Sequence, residues 1–414
     1  MKTEAATITT FDIEQIRAQF PVLHQQVNKH QLVYMDNAAT TQKPQVVLDA
    51  LNNYYTGYNS NIHRGVHTLA ERATTAFEAT RKTAQRFVNA AEPQEIIFTK
   101  GCTDGINLVA SSFGRSHIKA GDEIIITTME HHSNIVPWQM LCQERGATLR
   151  VVPVTETGEM QMDVFDQLLN EKTKLVSVVH ASNALGTVNP VREIIQKAHA
   201  VGAFVLLDGA QAASHLEVDV QALDADFYVM SGHKVYGPTG TGILYGKRHL
   251  LEAMPPYQGG GEMIKEVTFE ETTYNDIPFK FEAGTPNISD IVAFRYALEW
   301  VESVGKANIA AHEQALLQKA HELLQEVPGL RLVGTAREKV SVASFILDGV
   351  HPFDIGMMLD ARGIAIRTGH HCTQPLMKRM NIEGTARASF AVYNTLEEVS
   401  LLAEGLQYIA KRMR

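Results

Sequence analysis

Ser231-Gly232-His233-Lys234 is followed by Val235-Tyr236-Gly237-Pro238, and upstream of it Asp208 and Gln211 stand in the run LLDGAQ. A lysine amine can hold an aldehyde cofactor as a Schiff base, and a carboxylate can pair with a protonated pyridine nitrogen, which makes the ring an electron sink. The two segments predict a pyridoxal phosphate site with Lys234 as the covalent anchor. Far downstream, Arg367-Thr368-Gly369-His370-His371-Cys372 puts one cysteine on a glycine-bearing loop, between a strand expected at 364–366 and a helix starting near Pro375. Cationic neighbours and a helix start favour the thiolate, which is what a sulfur acceptor needs. Together the three pieces predict removal of sulfur from cysteine.

Further segments supply the remaining contacts. The Ser231 hydroxyl and the His233 imidazole, beside a glycine-rich turn, can bind a phosphate. A second phosphate candidate is Lys100-Gly101-Cys102-Thr103-Asp104-Gly105, between the apolar run IIFT and the helical pattern INLVA, where Thr103 and a helix start offer donors to an anion. In Glu130-His131-His132-Ser133-Asn134, an imidazole can stack on a pyridine ring and move protons near neutral pH. No carboxylate or thiol is spaced to complete a zinc set with these histidines, so no metal is expected. Asn183 in HASNALGTVNP and Arg387 in TARASF can hold an amino acid's carboxyl group, since a guanidinium fork matches a carboxylate. Cys142, on an amphipathic helix, reads as core.

The elements that must position these residues follow from the hydrophobic pattern. Short apolar runs begin at Ile96, Glu123, Leu149, Lys174, Ala203, Phe227 and Gly242, separated by amphipathic stretches such as 191–200. Buried runs alternating with helix-length segments predict an α/β fold, with a mostly parallel seven-stranded sheet sandwiched by helices. In such sheets ligands sit beyond the carboxyl ends of the strands, and Asp208 and Ser231 to Lys234 directly follow apolar runs. Beyond Arg295 the pattern changes to a long helix over 309–326, short strands near Leu330 and Val342 and a helix over 352–362, which predict a smaller α/β domain. The expected division is a segment 1–30 packing with the small domain, a large cofactor-binding domain 31–295, and a small domain 296–414 carrying the cysteine loop. The stretch from Gly259 to Phe281 reads as an ordered surface loop at a subunit contact.

Composition sets the outer limits. At 414 residues with 45% hydrophobic content, the chain can bury a large core and an enclosed site. Its 37 Lys and Arg against 46 Asp and Glu give a formal charge of −9, so a nucleic-acid partner is not expected. No apolar run approaches a membrane span and the first twenty or so residues resemble no signal or transit segment, so no membrane is expected and the expected location is cytoplasmic. Three cysteines without close pairing suit a reducing compartment.

The combination of SGHKVYGPTGTG, LLDGAQ, MEHHSNIVPWQ, NALGTVNP and RTGHHCTQPLM, running from MDNAATTQKP onward, resembles the SufS-type cysteine desulfurases among the fold-type I pyridoxal phosphate enzymes. The resemblance implies that Lys234 carries the cofactor and then moves protons, that Asp208 pairs with the ring nitrogen and Gln211 with the ring hydroxyl, and that His131 stacks on the ring. It implies that Thr103, Ser231 and His233 hold the phosphate together with Thr285 from a neighbouring subunit, hence a homodimer. Asn183, Arg367 and Arg387 would orient L-cysteine, with His63 and Arg64 approaching the partner's pocket. Cys372 would take the sulfur as a persulfide, leaving alanine, and pass it to an acceptor protein of SufU or SufE type in iron–sulfur cluster assembly. A selenocysteine lyase or another fold-type I enzyme is the alternative. The chain departs from the family at Cys102, where threonine is usual, at Asp104, where glutamate is usual, and at His351-Pro352-Phe353-Asp354, where Phe353 replaces a histidine that can ligate an acceptor's zinc.

Overall fold

The computed structural model describes residues 11–413. Among them, β1 (Ile96–Thr99), β2 (Glu123–Thr127), β3 (Thr148–Val152), β4 (Thr173–Val179), β5 (Phe204–Asp208), β6 (Phe227–Ser231) and β7 (Gly242–Gly246) form one sheet in the order β1-β7-β6-β5-β4-β2-β3. Neighbours are parallel except at β7, which runs antiparallel to β1 and β6. Successive side chains of a strand point to opposite faces. Ile125, Val176 and Val205 accordingly join one apolar cluster, and Ile124, Leu175 and Leu206 join another. The helix Val191–Ala200 closes the first face with Ile194 and Ile195, and the helix Val136–Arg145 closes the second with Trp138 and Leu141. Burial on both faces is why these strands read as unbroken apolar runs.

A second, antiparallel sheet is built from β8 (Leu330–Val333), β9 (Val342–Leu347), β10 (Arg367–Gly369) and β11 (Thr385–Ser389) in the order β8-β9-β11-β10. The helices Lys306–Gln325, Pro352–Asp360 and Leu396–Met413 contribute Leu316, Leu359 and Leu402 to its core. The helix Ile288–Val304 runs unbroken through the expected joint at 295/296 and ends at Gly305, whose φ of 88° suits glycine. Of the expected N-terminal segment, residues 1–10 lie outside the described residues. The rest touches both parts of the molecule. Ile16 and Phe20 share an apolar cluster with Trp300 and Tyr236, while Arg17 pairs with Glu398 at 2.9 Å. The stretch read as a loop between Gly259 and Phe281 contains a two-stranded hairpin, Ile264–Val267 with Thr272–Tyr274, which carries an exposed Phe269. Its short strands escape a hydrophobic reading because their side chains face solvent. Among the described residues, no helix is long and apolar enough to cross a membrane.

Candidate active site

Strands β1, β2, β4, β5 and β6 end on one edge of the large sheet, and each delivers a site residue there. Beyond β1 the chain turns through Gly101 into the helix Cys102–Val109, which begins with Cys102 and Thr103. Beyond β2 comes His131, beyond β4 Asn183, Asp208 closes β5, and Ser231 closes β6 before a single helical turn, Gly232–Lys234. The smaller sheet brings Arg367 on β10, Arg387 on β11 and the Cys372 loop to the same edge. All meet around one cavity. Thr103, His131, Asn183, Asp208, Gln211, Ser231, His233, Lys234, Arg367, Cys372 and Arg387 line it.

One half of the cavity suits a charged aromatic ring with a phosphate. Asp208 is 1% exposed and accepts the Ala210 amide at 3.0 Å. Burial raises its pKa, with the Ala210 amide and the Lys234 charge opposing, so a protonated ring nitrogen would further offset the cost of the buried carboxylate. The half-buried Lys234 lines the cavity, and desolvation lowers its amine below the usual lysine range. A larger share of neutral, nucleophilic amine follows. Desolvation and the neighbouring Lys234 charge pull His131 down to about 4, so its imidazole is neutral at physiological pH and suited to stacking. Ser133 fixes the ring by bonding to Nδ1 at 2.8 Å. Gln211 Nε2 donates to the Ala38 carbonyl at 2.7 Å. Gly101, at φ 141°, approaches Ser231 so closely that a Cβ would lie 3.0 Å from its hydroxyl, and that hydroxyl accepts the Cys102 amide at 2.9 Å. The residues present fit pyridoxal phosphate.

The other half suits an amino acid. Arg387 is 1% exposed; one guanidinium nitrogen donates to the Asn183 carbonyl at 2.8 Å and another to Asp36 at 2.9 Å. Its Nε has no partner, and neither have Asn183 Oδ1 and His371 Nδ1, all buried atoms of cavity-lining residues. Unpartnered buried polar groups are costly, and a zwitterionic ligand would satisfy donors and acceptors of this kind. Cys372 is half-buried with φ 57°, next to His371 at φ 50°. Two successive left-handed residues without glycine mark a backbone held by its surroundings. The holders are the His132 amide, donating to the Cys372 carbonyl at 2.8 Å, and Asn183 Nδ2, donating to the His371 carbonyl at 2.8 Å.

Three expected site residues lie outside this cavity in their own chain. Thr285 lines a second hollow with Lys100 and Tyr257, and His63 and Arg64 line a third, with Arg64 paired to Glu262 at 3.1 Å. Asp104, in the first turn of its helix, accepts the Lys100 amide at 3.0 Å and lines the second hollow. Cys102 does line the main cavity, and burial raises its thiol pKa well above the usual range. Cys142 is buried as expected. Residues not anticipated are Asp36, His371, Ser133 and Glu130. The segments MDNAATTQKP and MEHHSNIVPWQ carried three of them, without a spacing signal for their roles.

A cavity at the carboxyl edge of a mostly parallel sheet, lined by a lysine and a buried aspartate, defines a fold-type I pyridoxal phosphate enzyme. The chain belongs to the class-V aminotransferase family, whose model matches residues 33–402. It is 55% identical over 399 residues to a cysteine desulfurase of Synechococcus elongatus, covering 96% of this chain and 64% of that longer protein. It is 51% identical over 400 residues to a cysteine desulfurase of Dickeya dadantii, covering 96% of this chain and 97% of the relative. The crystal structure of the cysteine desulfurase CsdA from Escherichia coli, in an S-sulfonic acid form, matches with a TM-score of 0.91 at 38% identity, over 98% of this chain and 100% of that one.

Proposed function

We propose that this chain is an L-cysteine desulfurase that releases alanine and carries the sulfur as a persulfide on Cys372. The observation that carries the reading is the meeting of Cys372, Lys234, Asp208 and Arg387 around one cavity. The relatives of nearly equal length and their shared name support it.

Pyridoxal phosphate, when bound, supplies an electron sink for an amino acid joined to it. Asp208 would pair with the ring nitrogen and Gln211 with the ring hydroxyl. Neutral His131 would stack on the ring. Thr103, Ser231 and His233 would hold the phosphate. Arg387, Arg367 and Asn183 orient the substrate carboxylate, and the Lys234 amine takes and returns the α-proton. The Cys372 thiolate then attacks the substrate sulfur. A sulfur–sulfur bond forms, the bond from sulfur to the β-carbon breaks, and the electron pair left on that carbon takes a proton, giving alanine.

The finer reading is a homodimer in the cytoplasm, serving SUF-type iron–sulfur cluster assembly. Thr285, His63 and Arg64 would complete the partner's cavity; their placement outside their own supports this. The sulfur acceptor is of SufU or SufE type. Phe353 is 58% exposed and cannot ligate zinc, which favours simple thiol exchange and thus the SufE type. The test is mass spectrometry after exposure to L-cysteine and thiol trapping. An added sulfur on Cys372 is expected. An added sulfur on Cys102, or on neither, overturns the reading.

A further inference from the structure

The carbonyl oxygen of His233, one peptide bond before Lys234, attracts more donors than it has lone pairs. The Thr41 amide reaches it at 3.0 Å, the Thr40 and Thr41 hydroxyls at 3.1 and 3.2 Å, and the Lys43 ammonium at 3.0 Å. Lys43 also donates to the Thr41 carbonyl at 2.5 Å, and the Thr41 hydroxyl accepts the Tyr236 amide at 2.9 Å. One short segment therefore grips the Gly232–Lys234 turn on both sides of the lysine. With two lone pairs to share, the oxygen favours the charge-assisted bond from Lys43, about twice as strong as a neutral one.

Lys43 stands out for its surroundings. Its hydrogen-bond acceptors are carbonyl oxygens, and desolvation pulls its ammonium down to about 7. Enclosing a lysine without a carboxylate is costly, and the mechanism above gives it no step. Its segment reaches other parts of the site as well: Asp36 meets Arg387 at 2.9 Å, and Gln211 donates to the Ala38 carbonyl at 2.7 Å.

We propose that Lys43 is a positioning residue for Lys234, acting through the His233 carbonyl to hold the Gly232–Lys234 turn in the geometry that presents the Lys234 amine. The inference rests on the reading of Lys234 as the cofactor-binding amine. It adds a role for a residue that touches neither substrate nor cofactor.

The test compares the holoenzyme with its Lys43→Met, Lys43→Gln and Lys43→Arg variants by visible circular dichroism per bound cofactor, amide hydrogen exchange over residues 232–238, and steady-state kinetics. With Lys43→Met, the dichroic amplitude should fall by about half or more and exchange should quicken. In the same variant kcat should drop about tenfold while KM stays within about twofold. Lys43→Arg, which keeps a cationic donor, should restore most of the amplitude. If Lys43→Met does not fold, Lys43→Gln carries the test with the same expected losses. Unchanged amplitude and exchange in the neutral variants, or no rescue by arginine, overturns the proposal. A parent chain with no visible band would instead sink the reading of Lys234 itself.

Discussion

Arg367 and Arg387 stand directly opposite each other on the antiparallel strands β10 and β11. Like charges in that register repel. Asp36 lies between them, 2.9 Å from Arg387 and 3.6 Å from Arg367. A paired guanidinium fork with only part of its donor set satisfied is a preformed seat for a second carboxylate, and Arg387 Nε remains without an acceptor.

Replacing Arg387 by lysine keeps the charge and removes the fork. The expected outcome is a fall of roughly 10- to 100-fold in kcat/KM for L-cysteine, seen mainly in KM, with the cofactor band retained. Steady-state kinetics with parallel absorption spectra check it. An unchanged KM would mean the substrate carboxylate sits elsewhere.

Asp36→Asn leaves the two arginines facing each other without a countercharge, one of them buried. A loss of about 2 kcal/mol in stability is expected, read as a lowered midpoint in urea unfolding of the holoenzyme. Equal midpoints for variant and parent would show that the arginines find other partners.

Cys372→Ala should abolish persulfide formation and lower cysteine turnover by about a thousandfold or more, while the visible cofactor spectrum stays as in the parent. Release of selenium from selenocysteine need not use a protein thiol and should survive. Persisting cysteine turnover would remove Cys372 from the mechanism.

Glu130 gives a pH signature. Its carboxyl is fully buried, bonded to the Thr127 hydroxyl at 2.6 Å and to Asn134 at 2.7 Å, and burial lifts its pKa from 4.5 to about 8. The folded chain therefore keeps a proton that the unfolded chain has released, so its stabilising contribution is complete below pH 4.5 and is lost as pH rises to about 8. Glu130→Gln mimics the protonated form. Relative to the parent it should gain stability with pH across that window, by up to roughly 1.4 kcal/mol per pH unit. Unfolding midpoints at several pH values check this, and a constant difference between the two proteins contradicts it.

Much of the site was legible because its residues sit immediately after strands. Lys234, Asp208, His131, Asn183 and Thr103 each follow an apolar run, and the carboxyl edge of a parallel sheet gathers such residues from any order in the chain. Asp36 was not legible: its partner Arg387 is 351 positions away, and no periodicity links them. The hairpin at 264–274 escaped because its side chains face solvent. Glu130 escaped because a carboxylate beside two histidines looks polar and exposed, whereas the fold buries it against Thr127 and Asn134.

Residue types and their local spacing determined the chemistry: an amine for an aldehyde, a carboxylate for a ring nitrogen, a guanidinium for a carboxylate and a thiol for sulfur. Each is a property of one side chain and its near neighbours, so a linear reading reaches it. Only the tertiary structure decided which protonation states these groups take and how they are aimed. Burial of Asp208, His131 and Lys234 shifts each toward its neutral form through desolvation. The seating of Asp36 between two arginines, and the anchoring of the Cys372 loop to His132 and Asn183, depend on packing between segments that no local pattern joins.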